Sequence, residues 1–342
     1  MSKNRQQIGG IKQGIGSLRL MLCVIFFGSL LVGQGNAQSL AGITSVRDDS
    51  YSTASAYEAI RLSHPESQIV SLTTAPEVVQ EKDQIYATIA QRNLRTDVFY
   101  PRQKTAQKRT AIIFLHGGGW RSGSSAQHHP LAQRLAMLGY ICLTPEYRLS
   151  TEALFPAAVL DIKSLIRWLR THAEQYHIDP NKLVIAGFSA GGELAAFVGA
   201  TANITDFSGL QDASTNSMVN AIINIDGIVS FVHPESREGD DSKKLSAATL
   251  WLGYAKKDRP ALWEAASPLK YAGINTPPTL FINSSVTRMH AGRDDYVRQL
   301  TQNHITTEVH TFPGAPHPFC LFEPWQTPTI TLINQFLRTI FK

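Results

Sequence analysis

A chain of 342 residues that is 43% apolar and 17% charged can bury a large core, which excludes a disordered or fibrous protein. The net charge of +5 does not mark a nucleic-acid binder. Lys3, Arg5, Lys12 and Arg19 lie in the first 37 residues, which carry no acid, and the rest of the chain holds 28 basic against 27 acidic residues.

Those first residues read as an export signal, with a basic start, an apolar run from Leu20 to Val32 and a small-x-small end at Gly35-Asn36-Ala37. Cleavage is expected before Gln38, giving a secreted or periplasmic protein. The apolar run is shorter than the roughly 20 residues that span a bilayer, so no integral membrane segment is expected after cleavage. Cys23 sits within the run without the small preceding residues that a lipoprotein signal requires.

Residues 38–75 are rich in Ser, Thr and Ala, with one helical stretch near Thr53 to Leu62. They read as an N-terminal extension to a domain spanning 76–342. Strands are expected at Val78 to Gln80, Ile85 to Ile89 and Leu94 to Tyr100, then at Ala111 to Leu115, an apolar run typical of a strand buried on both faces. A helix from Pro130 to Leu138, a strand from Tyr140 to Thr144 and a helix from Ala157 to Tyr176 follow. Leu183 begins another apolar strand, and a helix follows from Glu193 to Thr201. Further strands are expected at Ala221 to Ile225, Pro278 to Asn283 and Thr307 to Phe312, and a closing helix from Thr327 to Phe341. Residues 231–275 break the alternation and read as an insertion that roofs a site. Strands alternating with helices predict an α/β fold, a mostly parallel sheet flanked by helices on both faces. Cys142 reads as a small core hydrophobe, and the sequence does not say whether it pairs with Cys320, or what the oligomeric state is.

The chemistry centres on Gly187-Phe188-Ser189-Ala190-Gly191. A serine on a sharp strand-to-helix turn needs glycine two residues either side, because a Cβ there collides with the strand or the helix. The helix start after it offers free N–H groups to an oxyanion. A second glycine-rich turn, His116-Gly117-Gly118-Gly119-Trp120, follows the strand ending at Leu115 and suits the same purpose. The expected oxyanion donors are Gly117 or Gly118 together with Ala190, with His116 a structural hydrogen-bonder. Among eleven histidines the base is His317, in Pro316-His317-Pro318 just after the last strand, and His290 is its main rival. Acyl transfer by serine with histidine calls for no metal or cofactor, and the histidines lack paired ligand spacing of the H-x-x-x-H or H-E-x-x-H kind.

With HGGGW, EYRLS, FPAAVLDIKSLIRWL, GFSAGGELAA and PGAPHPF in that order, the chain resembles the α/β-hydrolase esterases that include bacterial acetyl-xylan, feruloyl and pectin esterases. The resemblance spans about residues 78 to 342. It implies an α/β-hydrolase fold and a carbohydrate ester as substrate. It also implies an acid a few residues after the penultimate strand, yet Thr279 to Arg288 holds no carboxylate. Asp294 ranks first as the acid, Asp226 second and Asp295 third, and a serine–histidine dyad stays open. Arg288 and Arg293 suit pairing with a substrate carboxylate, and Trp120 suits stacking on a sugar ring. Two alternatives remain: a peptidase of the prolyl-oligopeptidase type, and a non-catalytic carbohydrate-binding homologue, which the unplaced acid favours.

Overall fold

The computed structural model describes Leu40, residues 42–208 and residues 215–342. The expected export signal lies outside the described residues. Helix α1 (Thr53–Ile60) opens on a capping box in which Ser52 and Ser55 each accept the other's backbone N–H through their hydroxyls. A two-residue strand β1 (Gln68–Ile69) follows. The two strand pieces expected after residue 78 are a single strand, β2 (Val78–Ile89), which pairs with β3 (Arg92–Pro101) and bulges between Glu81 and Gln84. The bulge shifts the inward-facing register part-way along, so the sequence alternation looks interrupted.

Then come β4 (Arg109–Leu115), α2 (His129–Met137), β5 (Ile141–Pro145), α3 (Ala157–Thr171), β6 (Ile178–Phe188) and α4 (Ala190–Ala200). Helix α3 stops at Thr171, short of the expected Tyr176. Strand β7 (Ala221–Ile225) is followed by α5 (Ala247–Leu252) and α6 (Pro260–Ala265), which lie in the expected insertion. The chain continues through β8 (Thr279–Asn283), α7 (Arg293–Gln302), β9 (Thr307–Thr311), the short β10 (Phe322–Glu323) that pairs with β1, and α8 (Gln326–Ile340).

The main sheet has the order β2-β3-β5-β4-β6-β7-β8-β9, antiparallel through β3 and parallel from β5 onward. Its central strands alternate between two cores. Ile113 and Leu115 of β4 and Ile185 of β6 meet Ile162 and Ile166 of α3 and Leu194 of α4. Ile112, Phe114 and Val184 point the other way, onto Leu131 and Leu135 of α2 and Ile333 and Phe336 of α8. Burial on both faces explains why β4, β6, β7 and β8 read as continuous apolar runs rather than alternating ones. Cys142 and Cys320 are both free and buried on the α2/α8 side. No helix among the described residues is long and apolar enough to cross a membrane. The architecture is the α/β-hydrolase fold, with every parallel strand ending at one edge, where a site forms.

Candidate active site

Ser189 sits at φ 56° and ψ −121°, between the end of β6 and the start of α4. The turn is tight enough that a Cβ on Gly187 would lie 2.0 Å from the Gly191 carbonyl oxygen, and one on Gly191 would lie 2.2 Å from that of Leu115. Only glycine fits at either position, as the spacing predicts. The N–H of Ser189 donates to the Ile225 carbonyl at 2.9 Å, which ties the turn to the end of β7.

His317 lies in the loop after β9. Its Nε2 is 2.8 Å from Ser189 Oγ, and its Nδ1 is 2.6 Å from Asp226 Oδ2. The loop is pinned by Ser285, which donates its N–H to Ala315 O at 3.1 Å and accepts the N–H of Gly314. The Phe188 ring packs against the imidazole at 4.9 Å. His290, the rival base, is 3.9 Å from Asp226 Oδ1 and 3.0 Å from the Ser284 carbonyl, and the hydrogen bond to Ser189 Oγ is made by His317 instead.

The carboxylate facing His317 is therefore Asp226, ranked second from the sequence, and not Asp294. Asp294 lies in the first turn of α7 with 76% of its side chain exposed, paired with its neighbour Arg293 at 2.9 Å. Asp295 pairs with Arg298 at 2.7 Å. Both do the work of first-turn helix acids. Asp226 has no exposed surface and accepts from four donors: His317, the Ser284 hydroxyl at 2.6 Å, the Ser284 N–H at 2.9 Å and Asn283 Nδ2 at 3.4 Å. A buried carboxylate requires such a set of donors. Ser284 stands directly after β8, where the resemblance leads one to seek the acid.

The HGGGW loop also differs from the expectation at Gly117. The Gly117 N–H donates to the side chain of Gln127 at 3.1 Å and is not free for a ligand. Gly118, Gly119 and Ala190 line the cleft beside Ser189, and their amides have no acceptor among the described residues. Gly118 has φ 127°, and a Cβ there would lie 1.9 Å from Ser122 O. His116 is buried: its Nδ1 is 3.0 Å from the Gly117 carbonyl, and its ring stacks on Tyr147 at 4.4 Å. Burial lowers its pKa to about 4, so it is neutral and structural. The Tyr147 hydroxyl donates to His116 O at 2.8 Å, and next to it Arg148 forms a two-pronged pair with Asp161 of α3. The EYRLS and FPAAVLDIKS segments thus brace the HGGGW loop.

Of the expected substrate contacts, Arg288 lines the cleft, half of it in solvent and 3.9 Å from Glu238. Arg293 does not reach the cleft. It donates to Asn283 Oδ1 at 3.0 Å, which orients the Asn283 amide towards Asp226. Trp120 contributes to the cleft wall but is 4% exposed, stacked on Trp251 at 4.9 Å and donating its indole N–H to Glu193 at 2.9 Å. It anchors the loop, which leaves no open face for a sugar ring. Burial pushes the Glu193 carboxyl well above the usual carboxylate range, which favours its neutral form. Gln127, Ser284 and Asn283 carry no motif signature, and their parts in the site arise from tertiary contact alone. Glu193 lies within the GFSAGGELAA motif, but its bond to the Trp120 indole shows only in the fold. Among the described residues no cluster of His, Cys, Asp and Glu could hold a metal ion.

The chain is similar to proteins already known. The chain is 29% identical to the esterase LipC of Mycobacterium tuberculosis across 72% of this chain and 62% of that protein. It is 30% identical to the esterase LipQ of the same organism across 70% of this chain and 58% of that protein. Its match thus spans about three fifths of the length of these curated relatives. Among solved structures, Thermogutta terrifontis esterase 2 phosphoramylated by tabun aligns with a TM-score of 0.63 and 28% identity, covering 76% of this chain and 94% of that one. The BD-FAE family's pattern matches residues 96–298, from within β3 to within α7 and including Ser189 and Asp226. That segment is more than half of the chain, and the chain belongs to the BD-FAE family of α/β-hydrolase-fold proteins.

Proposed function

We propose that this protein is an exported serine carboxylic ester hydrolase that removes acyl or methyl groups from plant cell-wall polysaccharide of the pectin or xylan type. The observation that carries the reaction is the unbroken line Ser189 Oγ, His317 Nε2, His317 Nδ1, Asp226 Oδ2, with contacts of 2.8 Å and 2.6 Å. Ser189 attacks the ester carbonyl as His317 takes its proton, and Asp226 stabilises the imidazolium that forms. The Gly118, Gly119 and Ala190 amides stabilise the oxyanion, which is usually the largest single contribution to such catalysis. Collapse expels the alcohol, which takes the proton back from His317. Water activated by the same histidine then frees the acid and Ser189.

The alternative of a non-catalytic homologue drew on the unplaced acid, and Asp226 against His317 removes that ground. The relatives LipC and LipQ are named esterases, and a second structure of Thermogutta terrifontis esterase 2 holds propionate. The cleft encloses about 480 Å³, room for a short acyl group and one sugar residue. Arg288 and Lys244 outnumber Glu238 among the charged side chains of its wall, which favours an alcohol that bears a carboxylate, as a uronic acid does. Export is supported by the basic, apolar and small-residue pattern of the first 37 residues.

Ser189→Ala is expected to abolish hydrolysis of 4-nitrophenyl acetate and labelling by a fluorophosphonate, with an unchanged circular dichroism spectrum. Retained turnover in that variant refutes the serine mechanism. A panel of acetylated xylan, acetylated pectin and methylated pectin then ranks the substrates. Arg288→Ala should lower kcat/KM about tenfold on the uronate esters only, an effect that salt screens.

A further inference from the structure

The cleft draws one wall from outside the matched family region, which begins at residue 96. A strap of the N-terminal extension, Asp48 to Tyr51, lies along the outer end of the oxyanion loop. Gly123 donates its N–H to Asp48 O at 3.0 Å, and Tyr51 donates its own to Ser122 Oγ at 2.8 Å. The Ser122 hydroxyl reaches Asp48 Oδ1 at 3.3 Å. From the inner side, the Gln127 amide donates to Tyr51 O and to Gly117 O, each at 3.2 Å. The strap is thus joined to the loop that holds the oxyanion donors by side-chain and backbone bonds on both sides. A sequence segment without a motif becomes part of the site.

What the strap delivers is the Tyr51 side chain, half-buried in the cleft that Ser189 and His317 also line. Its ring packs against the α2/α8 core, which fixes its direction. Its hydroxyl has no hydrogen-bond partner among the described residues. Such a hydroxyl is an unused donor and acceptor at a reaction site. The other uncharged side chains of the cleft wall, Trp120, Ile228, Ala247 and Met289, offer no free polar group, since the Trp120 indole N–H is spent on Glu193. They suit the methyl end of an acyl group, and Tyr51 suits the hydroxylated end of an ester.

We propose that Tyr51 is a specificity-determining residue whose hydroxyl bonds to a free hydroxyl on the alcohol half of the ester, so that polyol and sugar esters are selected over plain alkyl esters. This rests on the ester-hydrolase reading and goes beyond it by naming the recognition element and the chemistry it recognises.

The test uses the whole protein and a matched pair, glycerol 1-monoacetate and propyl acetate, which differ only in two hydroxyls. The wild type is expected to favour the glycerol ester in kcat/KM, and Tyr51→Phe, which keeps the ring, to cut that preference about fivefold, mainly through KM. No preference in the wild type, or one that survives Tyr51→Phe, overturns the assignment. Turnover of 4-nitrophenyl acetate by the wild type separates the two readings. If it is present with an unchanged preference, only the role of Tyr51 falls; if it is absent, the ester-hydrolase reading falls and Tyr51 with it.

Discussion

Asp226→Asn is the substitution that most directly probes the site. The amide matches the carboxylate in size, so a side chain with no exposed surface is replaced without a cavity. Its hydrogen-bonding pattern cannot be matched. Asp226 accepts from four donors, with Ser284 N–H and Asn283 Nδ2 on Oδ1, and His317 and the Ser284 hydroxyl on Oδ2. An asparagine turned to keep its oxygen towards the first pair offers its NH₂ to His317 Nδ1. The imidazole then accepts at Nδ1 and carries its proton on Nε2, the atom 2.8 Å from Ser189 Oγ that has to take up the serine proton. A base locked in the wrong tautomer costs on the order of 10⁴ in kcat. That corresponds to about 5 kcal/mol of transition-state stabilisation. The assay is kcat/KM on 4-nitrophenyl acetate near pH 8, with circular dichroism to verify the fold, and Asp294→Asn and Asp295→Asn as parallel variants expected within about twofold of wild type. A loss of less than tenfold for Asp226→Asn, or a larger loss at Asp294, refutes the reasoning.

Ser284→Ala removes the hydroxyl that shares Asp226 Oδ2 with His317, and kcat/KM should fall about tenfold, the effect of one hydrogen bond to a charged group; the acid limb of the pH–rate profile should move with it, and an unmoved limb contradicts this. The pH dependence of stability follows from two buried imidazoles, His116 and His128, whose pKa values burial lowers to about 4 and about 3. Their folded values lie below the unfolded value of 6.5, so the unfolded chain binds more protons in between and stability is lost as pH falls below that value. The two together cost about 4 kcal/mol by pH 5, so a thermal midpoint that stays level between pH 7 and pH 5 counts against it. Glu193→Gln should raise Tm or leave it unchanged at pH 8. The raised folded pKa of Glu193 means that stability is lost as pH climbs past its unfolded value, a loss that glutamine does not suffer; a clear drop in Tm would mean that the carboxylate is ionised in the fold.

The parts legible in the sequence are those fixed by steric or periodic demands. Gly187 and Gly191 had to flank Ser189, β4 and β6 had to be apolar on both faces, and His317 had to follow the last strand of the parallel sheet. Other parts depend on partners remote in sequence. Nothing local to Gly117 indicates that its N–H is taken by Gln127 ten residues on, which moves the available donors to Gly118 and Gly119. Trp120 carries the composition of a sugar platform, but its neighbours Trp251 and Glu193 lie far along the chain and bury it. Arg293 reads as a partner for a substrate carboxylate until Asn283 Oδ1 is found 3.0 Å from it.

The ambiguity over the acid has a physical origin in strand register. Phe188 of β6 pairs with Ile225 of β7, and Ile225 with Ile282 of β8. The next residues along the three strands, Ser189, Asp226 and Asn283, therefore stand side by side at the edge of the sheet. Asp226 donates its N–H to the Ile282 carbonyl at 2.9 Å, as Ser189 does to that of Ile225. Both residues take positive φ, 56° for Ser189 and 53° for Asp226, turning their side chains off the strand ends at the same level. A carboxylate at the end of either β7 or β8 can reach His317 Nδ1 from this edge, so the sheet geometry alone does not dictate which strand supplies it. With the acid on β7, the place after β8 has to be filled by donors, since a second carboxylate beside a buried Asp226 would leave two like charges without solvent. Asn283 and Ser284 fill it with amide, hydroxyl and backbone N–H groups directed at Asp226. The missing carboxylate between Thr279 and Arg288 is thus the complement of Asp226: once the acid sits on β7, the segment after β8 must donate hydrogen bonds.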